Sequence, residues 1–173
     1  MSIKGNWLRV TPAELAQAKD NLDWALGLAE SAQENEEWRL SRTDKAWNGL
    51  DFLLKRRGFT VPIVEGAEPF VDTSVDDPDS EDDLDDPGSD WGYGPPRYLT
   101  PEQVATAAAE LAELTEDDLT QGVDPAELTR AQIYPSPWNR LEDLQWPSHY
   151  LPYVREFFTS AAKDGHAVIC WLD

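Results

Sequence analysis

The apolar positions of this chain are unevenly grouped, and the longest unbroken group closes it: Ala167-Val168-Ile169-Cys170-Trp171-Leu172 lies between His166 and Asp173. A run this short, entered through Gly165, suits a strand buried on both faces better than a helix. The core is therefore expected to form around the C-terminus. Residues 3–10 read as a second strand, with Asn6, Leu8 and Val10 on one face and Gly5, Trp7 and Arg9 on the other.

Between these two strands the periodicity is mostly helical. Thr11-Pro12-Ala13-Glu14 is a capping box, in which Thr accepts from the first turn, Pro presets it and Glu reaches back. Leu15, Leu22, Leu26 and Ala29 carry the pattern toward Gln33, with a break near Asp20-Asn21, and residues 34–37 read as a solvated turn. Residues 44–57 predict a helix with Trp47, Leu50 and Leu54 on one stripe. Lys55, Arg56 and Arg57 oppose the negative end of its dipole, and Gly58 supplies the left-handed stop. Residues 59–65 read as a strand that Pro62 confines to an edge or a bulge.

After residue 90, residues 91–99 read as a rigid loop, followed by a second capping box, Thr100-Pro101-Glu102-Gln103. The helix it starts shows Val104, Ala107, Ala108, Leu111 and Leu114 on one face. A short turn at 115–119, a helix from Asp124-Pro125 toward Ala131 and an aromatic turn at 133–138 come next. A last helix over 148–163 should turn Leu151, Val154, Phe158, Ala161 and Ala162 inward and tolerate Pro152 only in its first turn. Strands at the two ends with helices between them predict a single, helix-rich α+β domain over residues 1–173, with a small sheet that includes the N-terminal and C-terminal strands.

Charge changes this picture in the middle of the chain. The 173 residues hold 14 basic and 34 acidic side chains, a net −20. Residues 1–57 balance, whereas residues 58–97 set twelve carboxylates against one arginine. The stretch at about 72–90 is expected to be a mobile acidic insertion, since little between Asp76 and Asp86 could be buried. Asp77, Asp79, Glu81 and Asp83 alternate as calcium ligands would. The register fails, because Asp82 stands where the loop needs Gly and Gly88 where it needs a bidentate Glu. A field of this sign repels phosphate backbones and anionic membranes, so a basic protein is the expected partner rather than nucleic acid or lipid.

The familiar reaction signatures are missing from the sequence. It has no Gly-x-Ser-x-Gly elbow, phosphate loop or dinucleotide fingerprint, and Gly92-Tyr93-Gly94 is too short to stand for one. No cofactor or metal is expected. Cys170 reads as a buried apolar cysteine, and His149 and His166 as structural or exposed residues without evident partners. No stretch reaches the ~20 apolar residues of a membrane span and residues 1–6 lack a signal segment, so a cytoplasmic setting is expected.

Several stretches together carry a resemblance: Leu8-Arg9-Val10-Thr11, Asp44-Lys45-Ala46-Trp47, the loop Gly92-Tyr93-Gly94-Pro95-Pro96-Arg97-Tyr98-Leu99-Thr100, Ile133-Tyr134-Pro135 and the apolar terminal strand. In this order they resemble the bacterial YfbM-like family, the domain of unknown function 1877. The resemblance covers nearly the whole chain apart from the acidic stretch, and implies a small bacterial α+β domain with no established activity and no catalytic residues to inherit. In the family pattern the helix after Trp47 often carries two histidines where this chain has Asn48 and Asp51. Such a pair could bind a metal or move protons, and Asn48 can do neither well.

Two functional expectations follow. The leading one is a non-catalytic acidic interaction protein that binds a basic partner, an inhibitor or immunity-type antagonist being one form of it. The competing one is a small-ligand-binding domain or enzyme with a pocket near Asn48, Asp51, Tyr93 and Arg97, with Tyr98 beside them. Asp51 is the carboxylate best flanked by apolar residues that would raise its pKa, and Arg97 could hold an anion at the next helix start unless it is simply structural. The aromatic set Tyr134, Trp138, Trp146, Tyr150 and Tyr153 reads as packing.

Overall fold

A computed structural model describes residues 3–35, 38–70, 91–135 and 137–173. The acidic stretch expected to be mobile, with its calcium-like alternation, lies outside the described residues. In chain order the elements are β1 (Gly5–Val10), α1 (Pro12–Asp20), α2 (Leu22–Glu34), β2 (Leu40–Asp44), α3 (Trp47–Arg56), β3 (Glu68–Pro69), β4 (Arg97–Leu99), α4 (Pro101–Ala112), α5 (Glu116–Thr120) and α6 (Pro125–Arg130). A 3-10 turn (Leu141–Leu144), α7 (Gln145–His149), α8 (Leu151–Lys163) and β5 (Ala167–Leu172) follow.

The five strands form one antiparallel sheet in the order β2-β1-β5-β4-β3. The terminal apolar run is the central strand, with Trp7 and Arg97 opposite Cys170 on its two sides. Both faces of the sheet are covered, which is why β5 has no polar alternation to display. On one face Leu8, Val10, Ile169 and Trp171 pack with Leu15, Ala18, Ala25, Ala29 and Ala32 of α1 and α2. On the other, Trp7, Val168 and Cys170 meet Leu50 and Leu53 of α3, Val104 and Leu111 of α4, and Val154 and Phe158 of α8. The single α+β domain with strands from both termini is what the sequence predicts.

Local rules account for the helix boundaries. Thr11 with Glu14 and Thr100 with Gln103 form both expected capping boxes. The break between the first two helices is real, because the Asn21 side chain accepts from Trp24 N–H and starts α2. Gly58 takes φ +80° after α3.

Four readings change. Residues 59–65 are not a strand: Ile63 N–H turns back to Val61 O and Gly66 N–H to Pro62 O. The Ile63 carbonyl instead accepts from the Trp7 indole at 2.6 Å and the Cys170 thiol at 3.3 Å. Those side-chain donors claim a group that a ladder would need, and Pro62 has no N–H to give one. The strand on this side is the two-residue β3, paired with β4 inside the stretch expected to be loop. The second change is β2, whose polar sequence Leu-Ser-Arg-Thr-Asp hides an edge strand beside β1. Charged residues are what an exposed edge tolerates, and they mask the period of two. The third is that α3 begins at Trp47, three residues later than expected, because Asp44 ends β2 at φ +50°. The last is the final helix, which divides at Tyr150 into α7 and α8. Phe157 rather than Ala162 completes its buried stripe.

Candidate functional site

The alternation of β4 separates two of the five residues expected to share a pocket. Arg97 lies on the face of Cys170, and its guanidinium donates to the carbonyls of Gly66 and Ala67, both at 2.9 Å. Gly66 permits this approach: it holds φ +86°, and a Cβ there would stand 2.6 Å from the Arg97 Cβ. Tyr98 points to the other face, its ring tilted at 47° against Phe70 at 4.7 Å, with Lys19 Nζ 4.8 Å above it. Tyr93 is exposed, its N–H donating to Leu172 O in a loop folded over the chain end. The start of α4 near Arg97 is closed by its own capping box, and Glu68 accepts a further bond from the Gln103 amide at 3.1 Å. The arginine thus holds backbone to backbone.

Asn48 and Asp51 share the half-buried side of α3, and only Asp51 of the five lines the groove between α3 and α6, among the described residues. The groove has a volume of about 780 Å³, and Phe52, Ile133, Lys55, Arg56, Glu127 and Arg130 line it with Asp51. Burial raises the Asp51 pKa, and the Lys55 ammonium at 2.8 Å counteracts that rise. Lys55 also reaches Glu65 at 3.4 Å, and the Arg56 Nε donates to Glu127 at 3.1 Å. Most of the charge in the groove is therefore internally matched. The Arg130 side chain makes no ion pair among the described residues.

The outer faces of α4, α5 and the loop between them are different. Glu102, Glu113, Glu116 and Asp117 are exposed, and among the described residues no cation pairs with any of them. Asp118 beside them is used locally, accepting from Thr115 N–H at 2.9 Å, and that backbone bond lowers its pKa. Eight carboxylates against one arginine between Pro101 and Arg130 make this layer the most acidic described part of the molecule.

Sequence reasoning overlooked two sites. Arg9 is 4% exposed although its strand faces α8, where it donates to Ser160 Oγ at 2.8 Å, Asp164 Oδ2 at 2.6 Å and His166 Nδ1 at 3.3 Å. The Trp38 ring, 4.6 Å from the Arg9 guanidinium carbon, also stacks on His166. The signal was faint, an arginine inside an apolar strand. The second site is the aromatic set read as packing. Trp138 is buried as expected, but Trp146 is 36% and Tyr153 is 60% exposed. Cys170, by contrast, is enclosed, and burial pushes its thiol far above the usual range, so it stays neutral. Among the described residues no group of three or more His, Cys, Asp or Glu is placed to hold a metal ion, and no helix is long and apolar enough to cross a membrane.

Residues 1–171 match the family described as Domain of unknown function (DUF1877). The chain belongs to that family. Its fold is also that of a solved relative, a protein of unknown function, YfbM, from Escherichia coli, with a TM-score of 0.65 and 14% identity over 100% of both chains. No curated protein matches the chain. Membership and fold agree with the resemblance carried by the loop before Thr100 and by the terminal strand.

Proposed function

We propose that this member of the DUF1877 family is a non-catalytic binding protein whose acidic surface takes a basic protein partner, with an inhibitor or immunity-type antagonist as one form of that role. The observation that carries the reading is the layer of exposed carboxylates on α4, α5 and the loop between them that meet no cation among the described residues. Uncompensated like charge is a cost to the folded state, and a cationic partner would relieve it. The proposed setting is the cytoplasm, where a single reduced cysteine is at home. A small-ligand role keeps one observation in its favour, the groove lined by Asp51 and by Arg130, which makes no ion pair among the described residues.

Affinity capture on the protein at low salt, followed by kinetics with the isolated partner, tests the reading. Neutralising Glu102, Glu113, Glu116 and Asp117 together should slow association about tenfold or more and change dissociation less, because charge steers encounter more than it sets residence. The effect should shrink as screening shortens below ~8 Å at about 0.15 M salt and above. Salt-independent association that survives the four substitutions would overturn the reading. A response to Arg130→Ala alone would favour the groove.

A further inference from the structure

We infer that the basic partner docks through arginines on the exposed aromatic ridge of α7 and α8, centred on Trp146 and Tyr153 with Glu156 beside them. The inference rests on the acidic-interaction reading and names the surface and chemistry it would use. Residues 146, 149, 153 and 156 recur at helical spacing across the joint at Tyr150, so they form one stripe. Trp146 stacks on Trp138 at 6.3 Å and His149 meets Tyr153 edge-on at 5.9 Å, one ring pair at each end of it.

The base of this ridge is rigid. Trp138 is buried, its indole donates to Ile133 O at 2.9 Å, and its N–H donates to Thr129 Oγ1 at 3.0 Å. Gly49 makes room for it, since a Cβ there would lie 3.0 Å from the Trp138 ring and 3.2 Å from Pro147. Large aromatic rings presented on such a support are the residues on which binding energy concentrates, because little side-chain entropy is left to lose.

Charge selects the occupant. Glu142 and Glu156 are exposed without an ion pair among the described residues, and α5, with Glu116 and Asp117, packs against α7. The cation nearest in sequence to Glu156, Arg155, is turned inward to the carbonyls of Leu111 and Leu114. A ring face bordered by carboxylates matches guanidinium, which stacks on aromatics and bonds carboxylate through a planar fork, whereas ammonium does the first less well and the second only as a point charge. A second copy of the chain is disfavoured as occupant because it would bring another net −20.

Two dye-labelled probe peptides of equal charge, one alternating arginine with leucine and one alternating lysine with leucine, separate the possibilities by fluorescence anisotropy at low and at about 0.15 M salt. The protein should bind the arginine peptide several-fold more tightly. Tyr153→Ala and Trp146→Ala should each erase that preference, and the Tyr153 variant alone decides should the Trp146 variant fail to fold. Glu116→Gln with Asp117→Asn should weaken both peptides alike. Equal affinity for the two peptides, or a preference that survives both aromatic substitutions, would overturn the inference; if binding still depended on the acidic residues and on salt, the interaction reading would stand without this surface. Absence of binding to either peptide at low salt would overturn both.

Discussion

Two regions of this molecule handle charge in opposite ways. Around Arg9, at the junction of β1, α8 and β5, a cation is enclosed and met from every side: Ser160 and Asp164 accept from it, His166 accepts at Nδ1, and Trp38 covers it. Nearby, Arg39 closes on Glu14 at 3.2 Å, and that carboxylate also accepts from Thr11 N–H. On the outer faces of α4 and α5, Glu102, Glu113, Glu116 and Asp117 meet no cation among the described residues. In the first region charge is part of how the fold holds together. In the second no cation among the described residues answers it, and that difference turns attention to what lies outside the chain.

The largest break in the comparison comes from Arg9→Ala. The substitution leaves Asp164 and Ser160 without their donor, empties the space under Trp38 and removes an aliphatic stem packed in the interior. Asp164 is half exposed and can recover water, which limits the loss. A cost of about 2–3 kcal/mol is expected from the unpaired groups and lost packing together. Urea denaturation followed by circular dichroism checks it, and a midpoint within error of the parent would place Arg9 among ordinary surface charges.

Legibility in the sequence followed the range of the interactions involved. The capping boxes at Thr11 and Thr100, the Asn21 start of α2 and the Gly58 stop each depend on a few neighbouring residues, so they could be read directly. The central strand was legible because burial on both faces leaves an unbroken apolar run. What escaped depends on partners distant in sequence. Residues 59–65 have strand composition, but Trp7 and Cys170 claim the Ile63 carbonyl from 56 and 107 residues away. The expected pocket likewise placed Arg97 and Tyr98 together, although neighbouring strand residues face opposite sides. The exposure of Trp146 and Tyr153 likewise depends on which faces of α7 and α8 the rest of the fold covers, which periodicity alone does not reveal.

The junction around Arg9 also responds to pH. His166 has a lowered pKa, first through burial and then through the positive charge of Arg9 and, less, Arg39; Asp164 and Glu14 pull the other way. A proton on Nδ1 would also remove the acceptor that Arg9 uses. Because the native imidazole resists the proton that the unfolded chain accepts near pH ~6.5, the unfolded state binds more protons below that value. The stability this group contributes is therefore full above about pH 6.5 and is lost as pH falls through the lower, native pKa. His166→Asn keeps an acceptor and does not titrate, so the stability difference between parent and variant should change between about pH 6.5 and 5, before carboxylates near pKa ~4 enter. Denaturation midpoints of the two proteins at half-unit pH steps measure it, and parallel curves across that window would show that the histidine is energetically silent.

The smallest effect on stability is expected where the functional proposal asks for the largest effect on binding. Glu116→Gln with Asp117→Asn removes two exposed charges that make no ion pair among the described residues. Surface changes of this kind stay within about 0.5 kcal/mol. Two opposing influences act inside that bound. The carboxylates sit in the first turn of α5, where the positive end of the helix favours them, and neutralisation gives up a few tenths of a kcal/mol. Against that, each removed charge relieves repulsion in a chain of net −20. At low salt the repulsion reaches across the molecule and should win, giving a slightly higher melting temperature. At about 0.5 M salt the long-range repulsion is screened more completely than the shorter-range helix term, and the sign should reverse. Thermal melts at the two salt concentrations read that reversal directly. A clear destabilisation at both would mean that these carboxylates support the fold after all, and the contrast with Arg9 would close.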